Sequence, residues 1–235
     1  MKCKTRNIAV IIAALALMLF TASIASAEIV PVKLRIEGKT HTIYEGTIKT
    51  EGHEVTTQSG GTHKCDGTNL GANPEPGATP TAAVDAAGKK YGFTWDGSWY
   101  EGFEDYFVER IGDSPQEGNA YWGVLVDYEF TPVGGCQQEV HKGEEVLWAW
   151  NAFEVSHFLK LKKAKHAAPG TVLVTDGLTG EPIEGATVGP VNNGPGVMTN
   201  AQGEATLSFT SPGKYRVKAE RPDSIRSNSL VVKVS

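Results

Sequence analysis

Residues 79–92, TPTAAVDAAGKKYG, form the one helical pattern that we identify in the sequence, and strand-like segments lie on both sides of it. Thr79 belongs to the residue types that cap helix N-termini, and Pro80 suits the first helical position. The alanines and the valine between 82 and 87 give the helix an apolar body. Either Gly88 or Gly92 is suited to end it. One main helix among strands predicts an α+β fold.

The segment before the helix predicts a pair of strands. Apolar residues at 32, 34 and 36 alternate with charged residues at 33, 35 and 37, which is typical of a half-buried strand. Residues 40–49 are suited to be its hairpin partner. Residues 60–77 are rich in glycine and proline and predict a loop that contains Cys65.

Short aromatic strands are expected after the helix, at 94–100, 106–111, 121–128, 145–151 and 157–162. The last of them alternates leucine with lysine from residue 159 to residue 162. Together with the leading strands, they predict a mostly antiparallel sheet on which the helix packs.

The composition changes near residue 166, which predicts a second domain. Residues 28–167 carry 13 basic and 21 acidic residues, whereas residues 168–235 carry six of each. All five tryptophans and all six histidines lie before the change, and small residues at 167–170 suit a boundary. About seven short strand patterns follow, as in an all-β sandwich. The predicted organisation is a signal peptide at 1–27, an α+β domain at 28–165, a linker at 166–170 and an all-β sandwich domain at 171–235.

The N-terminus has the pattern of a secretory signal peptide. Basic residues at 2, 4 and 6 precede an apolar run at 8–20, and ASA at 25–27 gives a small-x-small cleavage motif that ends at Ala27. The run of 13 apolar residues is short for a membrane span, which needs about 20. We expect cleavage after Ala27, a secreted extracellular protein and no membrane span after cleavage. The mature chain then has 19 basic and 27 acidic residues, a net charge of −8.

Signal cleavage leaves two cysteines, Cys65 and Cys136. In an oxidising compartment two lone cysteines most often pair, so we expect a disulfide between them. Closing a loop of about 70 residues stabilises the fold by roughly 4 kcal/mol in the loop-entropy model. A metal site is the alternative, since His63 lies two residues from Cys65, but this spacing is poor for structural zinc.

The second segment carries a long motif between Asp176 and Ala219. It reads D-x-x-T-G-x-P-I-x-G-A-T-V, then T-N-A-x-G-x-A, then G-x-Y-x-V-x-A. In this motif the segment resembles the prealbumin-like or carboxypeptidase-regulatory-like sandwich family. The resemblance implies a β-sandwich. Such sandwiches recur as spacers and accessory modules, so it implies little about activity.

The first segment carries four shorter matches, namely TPTAAV at 79–84, WDGSW at 95–99, YWGVLV at 121–126 and KGEEVLW at 142–148. With the leading strand pair, they make most of residues 30–162 resemble the transcobalamin C-terminal-domain-like family, many of whose bacterial members have no known function. The resemblance implies the α+β fold. In transcobalamin and intrinsic factor this domain closes over a corrinoid held by a separate helical barrel, so cobalamin or another small planar ligand is an alternative ligand class.

Aromatic and acidic residues are interleaved between residues 95 and 122. Residues 96–117 hold seven acidic residues and one basic residue, Arg110. One interpretation is an aromatic contact surface with carboxylates as hydrogen-bond acceptors. The other is a sheet with an aromatic core face and an acidic solvent face. If the surface exists, the candidate ligand-binding residues are Trp95, Trp99, Tyr100, Tyr121 and Trp122.

No pattern in the sequence points to catalysis or to a cofactor. The nucleophile-elbow, phosphate-loop and dinucleotide-binding motifs do not occur, and the histidines lack the i, i+4 spacing of helical metal sites. The formal charge of −5 argues against nucleic acid as a partner. We therefore expect a secreted, non-enzymatic binding or interaction protein without a metal or other cofactor. Its expected partner is an unidentified extracellular ligand or an envelope polymer, and corrinoid binding is the alternative.

Overall fold

A computed structural model describes residues 28–165, 167–191 and 194–234 of the chain. The predicted signal peptide at 1–27, with its cleavage site after Ala27, lies outside the described residues. The described residues form one α-helix, one short 3-10 helix and eighteen strands, so the fold is mostly β. In these ranges no helix has the length and apolar character needed to cross a membrane.

The first part of the chain contains most of the predicted elements. They are β1 (Val30–Glu37), β2 (Thr42–Thr50), β3 (His53–Thr57), β4 (Gly61–Cys65), the 3-10 helix (Asn69–Gly71), α1 (Pro80–Tyr91), β5 (Trp95–Tyr100), β6 (Asp105–Ile111), β7 (Ser114–Pro115), β8 (Trp122–Val126), β9 (Glu129–Phe130) and β10 (Glu145–Trp150).

The rest of the chain consists of strands and turns. The strands are β11 (His157–Lys163), β12 (Thr171–Asp176), β13 (Thr187–Pro190), β14 (Val197–Met198), β15 (Glu204–Thr206), β16 (Gly213–Glu220), β17 (Ser224–Ile225) and β18 (Leu230–Val234). The five predicted aromatic strands correspond to β5, β6, β8, β10 and β11.

Helix α1 begins and ends where local chemistry predicts. Thr79 has extended backbone angles, and its hydroxyl accepts a hydrogen bond from the Ala82 N–H. Pro80 occupies the first turn, where its missing N–H leaves no helical hydrogen bond unmade. Of the two candidate glycines, Gly92 ends the helix: it has a φ of 82°, a left-handed conformation that glycine adopts without steric cost.

The helix packs on a five-stranded sheet with the order β2-β1-β10-β8-β9. Its pairs are antiparallel except for β1 and β10, which run parallel. Leu34 and Ile36 of β1, Trp148 of β10 and Ala83 of the helix lie in one buried cluster. The sheet and the helix thus share a core.

Two smaller sheets, β3-β4 and β5-β6-β7, cover the rest of this core. The segment predicted as a loop at 60–77 therefore opens with a strand, β4, in which Cys65 pairs with His53 of β3. Cys65 forms a disulfide with Cys136, the pairing that the sequence predicts. Both cysteines are fully buried in the cluster under the helix.

The later strands form two four-stranded sheets, β15-β12-β11-β17 and β14-β13-β16-β18. Val174, Val188 and Val217 come from both sheets and share a second buried cluster. Strand β11 belongs to this part although the sequence suggested a place among the earlier strands. Its Leu159 and Leu161 face the second cluster, and it pairs with β12 across the short connection that was predicted as a linker at 166–170.

Strand β1 is half-buried at Lys33, which is exposed, but it is buried on both faces from Leu34 to Glu37, so the expectation of a half-buried strand holds only for its first part. Arg35 and Glu37 are only 2% and 1% exposed. Glu37 lies 2.6 Å from the Lys218 ammonium and 2.9 Å from Nε of Arg226. These four residues and Glu45, which lies 3.2 Å from Lys218, are called the buried charge network below. The later strands supply the cations that allow the charged face of β1 to be buried.

Candidate functional site

The five predicted ligand-binding residues do not form one surface. Trp95 is 9% exposed, and its indole N–H donates to Oδ1 of Asp85 at 3.4 Å. Trp122 is 7% exposed and donates to the Ser114 carbonyl at 3.1 Å. Both rings belong to the cluster under the helix. Their large apolar area is used in the core, and their polar N–H groups have internal partners.

Trp99 lies between core and surface. Its ring stacks on His63 with a centroid distance of 3.9 Å, and its indole N–H donates to Oε2 of Glu101 at 2.8 Å. It also meets Tyr106 edge to face. The ring of Trp99 is therefore held in place from two sides, which leaves little of it for a ligand.

The exposed aromatic residues are mostly phenylalanine and tyrosine. Tyr100 and Phe107 meet edge to face, and Phe107 meets Tyr121 in the same way. Tyr100 is 51% exposed and Phe103, in the turn after it, is 67% exposed. Phe103 was not among the candidates. The sequence signal for it is EGFED at 101–105, where a phenylalanine stands inside a polar turn.

Tyr100, Phe103 and Phe107 line a groove of about 600 Å³, and Tyr121 does not line it. We call it the aromatic groove. Its walls are formed by Leu70, Tyr100, Phe103, Phe107, Pro132 and Val133, and its polar lining residues include Asp105 and Gln137. Tyr100 is the predicted candidate residue that lines it.

One wall of the groove is held in an unusual backbone conformation. Leu70 and Glu104 have φ values of 49° and 44°, in the left-handed region that residues other than glycine rarely adopt. The Leu70 N–H donates to the Glu104 carboxylate at 2.8 Å. The Asn69 side chain donates to the Glu104 carbonyl, and the Gln137 side chain donates to the Phe103 carbonyl. These contacts fix Leu70 and Phe103 in exposed positions, at a cost of about 1 kcal/mol or more for each strained residue.

Asp105 lines the groove but is only 6% exposed. Its carboxylate accepts hydrogen bonds from the backbone N–H groups of Tyr106 at 2.7 Å and Cys136 at 3.0 Å. Burial raises the pKa of Asp105 to about 6, although these hydrogen bonds favour the charged form. Gly134 allows this approach, since a Cβ there would lie 1.9 Å from the carboxylate. Asp105 thus joins the groove to the disulfide loop.

The charge around the groove is acidic. Residues 96–117 contain seven acidic residues and one basic residue, and the groove-lining residues include no lysine or arginine. Glu104 lies at the Leu70 wall. An anionic ligand would meet this negative field without a counter-charge, so a neutral or cationic ligand is favoured.

Two pairs of adjacent acidic residues, Glu104–Asp105 and Glu144–Glu145, make structural contacts. Glu104 accepts from Leu70, and Asp105 accepts from Tyr106 and Cys136. In the second pair, Glu144 accepts from the His141 N–H at 2.8 Å, and Glu145 lies 3.3 Å from Arg35. Within the ranges that the structure describes, no three His, Cys, Asp or Glu side chains are grouped to hold a metal ion.

Two comparisons with known proteins give no match. No model of a known protein family matches the chain. A search of curated proteins likewise finds no significant match.

Proposed function

We propose that this chain is a secreted, non-catalytic binding module whose contact site is the aromatic groove. The observation that carries the proposal is the exposure of its apolar walls, since Phe103 is 67% and Leu70 is 56% exposed. Exposed apolar area is unfavourable by about 25 cal/mol per Å² relative to burial, and clustered exposure of this kind marks binding sites. A ligand would bury these side chains.

The strained wall supports the same proposal. Leu70 and Glu104 hold conformations that glycine would adopt without steric cost. A leucine at a left-handed position adds no packing to the core, because it is exposed. It does add apolar surface to the groove, and the fixed wall lowers the entropy that a ligand loses on binding.

The groove favours a small apolar ligand or an apolar group of a larger one. A volume of about 600 Å³ lies within the range of small-molecule sites, about 300–1,000 Å³. The rings of Tyr100 and Phe103 offer flat faces, and the acidic surroundings select against anions. An envelope polymer that carries an uncharged apolar substituent fits this chemistry.

A planar ligand such as a corrinoid is the second candidate. The resemblance of residues 30–162 to the transcobalamin C-terminal-domain-like family motivates it, and the flat aromatic walls of the groove favour a flat partner. In this version the groove covers one face of the ring system, and another molecule covers the other.

The same proposal extends to the domain organisation. The earlier strands with helix α1 would form the binding domain, and the sheets from β11 onward would form a prealbumin-like sandwich that acts as a spacer. Two of the three hydrophobic clusters each lie within one of these parts, whereas the third, which contains Leu147 and Phe158, joins them. Because β11 pairs with β12, we place the boundary before His157 rather than at 166–170. A buried disulfide fits an extracellular protein, since disulfides persist in oxidising compartments.

Two naphthyl dyes test the groove directly, because they share a ring system and differ in charge. N-phenyl-1-naphthylamine is neutral, and 8-anilino-1-naphthalenesulfonate carries a sulfonate. We expect saturable fluorescence enhancement with the neutral dye and at least about tenfold weaker binding of the sulfonate, because the groove is acidic. No enhancement with the neutral dye, or tighter binding of the anion, would contradict the proposal.

A matched pair of variants locates the site. Phe103→Ser removes a groove ring, whereas Phe153→Ser removes a ring that is 61% exposed and stacks on Phe130 outside the groove. The first should weaken dye binding about tenfold and the second should leave it unchanged, since burying a phenylalanine contributes about 1.5–3 kcal/mol. Equal losses would exclude the groove. Displacement of the neutral dye by dicyanocobinamide supports the planar-ligand candidate, and no displacement at about 1 mM rejects it.

A further inference from the structure

A second concave site lies on another part of the molecule. It is a cleft of about 510 Å³ between the β1–β2 turn, the end of β10 and the β16–β17 turn, and its lining includes Trp150, Asn151 and Glu220. A neighbouring cleft of about 480 Å³ adjoins it, and the two share the lining residues Thr187, Glu220 and Arg226. We call the two adjoining clefts together the polar cleft. It shares no lining residue with the aromatic groove.

The cations around the polar cleft already have counter-charges. Lys39 pairs with Glu117, and Arg221 lies 3.0 Å from Asp223. The other two, Arg226 and Lys218, are held by Glu37 in the buried charge network. An anionic ligand would have to break these pairs, so phosphate-rich and carboxylate-rich partners are disfavoured.

The groups that remain open to a ligand are polar and suited to hydroxyls. Glu220 is exposed, and in the part of the chain that the structure describes its carboxylate makes no ion pair or side-chain hydrogen bond. The side chains of Asn151 and Thr187 make no hydrogen bond there either. Together they offer a carboxylate, an amide and a hydroxyl along the wall of the cleft.

One aromatic ring completes the cleft. The Trp150 indole N–H donates to the Pro115 carbonyl at 2.8 Å, which fixes the ring where it lines the cleft. The Lys39 ammonium lies over the ring, 5.5 Å from its centroid. The neighbouring Asn151 has a φ of 60°, a left-handed conformation, and it lines the same cleft. Asparagine tolerates this conformation better than most residues.

We propose that the polar cleft binds a neutral oligosaccharide. An aromatic ring packs against the C–H faces of sugar rings, while carboxylate and amide groups hydrogen-bond the hydroxyls at their edges. Glu220 and Asn151 supply those polar groups beside Trp150. The two adjoining clefts offer space for more than one sugar ring. This site does not depend on the aromatic groove, so each of the two proposals is tested separately.

Nuclear magnetic resonance of the mature chain tests the proposal with defined probes. The hexamers of N-acetylglucosamine and of glucose are the neutral probes, and the hexamer of galacturonic acid is the anionic one. We expect one of the neutral hexamers to shift the Trp150 indole and Asn151 amide resonances in a saturable way. The anionic hexamer should cause no such shift. No shift with either neutral hexamer at about 10 mM, or equal binding of the anion, overturns the proposal.

Three variants separate binding from folding. Glu220→Gln keeps the shape of an exposed side chain, and it should weaken binding about tenfold because it removes a charged acceptor. Asn151→Gly keeps the left-handed backbone and should weaken binding about fivefold. Glu181→Gln is the matched control, since Glu181 is exposed and does not line the cleft. If Glu220→Gln and Asn151→Gly bind as tightly as the control, the cleft is not the site.

Discussion

The molecule buries two kinds of surface. Under helix α1 a large cluster of apolar side chains is buried, and the disulfide between Cys65 and Cys136 lies among them. Where β1 meets residues 216–229, the buried side chains are charged, with Glu37 next to Arg35, Lys218 and Arg226. A truncated apolar side chain loses its own buried area and leaves a cavity, whereas a buried ion that loses its partner keeps an uncompensated charge.

One carboxylate of the charged region shows the influence of its neighbours on its pKa. Burial raises the pKa of Glu45, but the Lys218 ammonium and the hydrogen bonds from Ser229 outweigh this effect and lower the pKa below its ordinary value. Two of the cations that pair with Glu37, namely Lys218 and Arg226, lie in a distant part of the chain. The two regions should respond differently to single substitutions.

The largest effect is expected for the disulfide. Cys65→Ala/Cys136→Ala removes a link between residues 71 apart in sequence, which lowers the free energy of unfolding by about 4 kcal/mol in the loop-entropy model. Urea unfolding of the variant and of the intact protein measures this loss. Reduction of the intact protein should produce a similar loss. A change below about 1 kcal/mol would show that the core under the helix holds the loop without the covalent link.

The buried charge network should give the next largest effect. Glu37→Gln leaves Lys218 and Arg226 close together without their shared carboxylate, so we expect a loss of about 3 kcal/mol in urea unfolding. Glu54→Gln, at an exposed position of β3, is the control and should change stability by less than about 0.5 kcal/mol. Equal losses in the two variants would mean that the network contributes no more than a surface charge.

Local rules explain which parts of the fold were predictable. The boundaries of α1 follow from Thr79, Pro80 and Gly92, each of which acts on its own neighbours. The alternation along β1 predicts the strand, but it does not predict that the charged residues Arg35 and Glu37 are buried too. The burial of Glu37 depends on Lys218, which is 181 residues from it in sequence. No periodicity within eight residues carries this information.

The candidate site shows the same division between local and distant information. The aromatic segment and Tyr100 could be read from the sequence, but the burial of Trp95 and Trp122 could not. Trp122 packs in the cluster under the helix and its indole N–H donates to the Ser114 carbonyl, an arrangement that depends on how β7 meets β8. The groove itself needs Leu70 and Val133 from separate loops, which the sequence does not bring together.

A smaller effect is expected at the helix cap that belongs to the apolar region. Thr79→Ala removes the hydroxyl that accepts from the Ala82 N–H at 3.1 Å, and should cost about 1 kcal/mol in urea unfolding. Thr79→Ser keeps the hydroxyl and should retain most of this stability. If the two variants lose the same amount, the effect comes from the lost methyl group of a buried side chain rather than from the cap.

The smallest effect concerns an ion pair at the edge of the apolar region. The ring nitrogens of His53 lie 2.9 Å from the Glu51 carbonyl and 2.8 Å from the Asp85 carboxylate. Both partners are acceptors, so the arrangement is complete when both nitrogens are protonated. The hydrogen bond to Asp85 raises the pKa of His53 above 6.5, although burial and the Lys89 ammonium oppose the rise.

A histidine pKa that is raised in the folded state makes stability fall as the pH rises. The stabilisation from His53 is fully present below about pH 6.5 and is lost as the pH rises through the folded-state pKa. Between about pH 5.5 and pH 8.5 the free energy of unfolding of the unmodified protein should therefore fall by up to about 1 kcal/mol, as measured by urea unfolding at both pH values. The His53→Gln variant should not show this fall. His41→Gln, at a side chain that is 55% exposed, should keep the pH dependence of the unmodified protein. The same pH dependence in the His53 variant would show that this half-buried pair, unlike the network around Glu37, contributes nothing that depends on its charge.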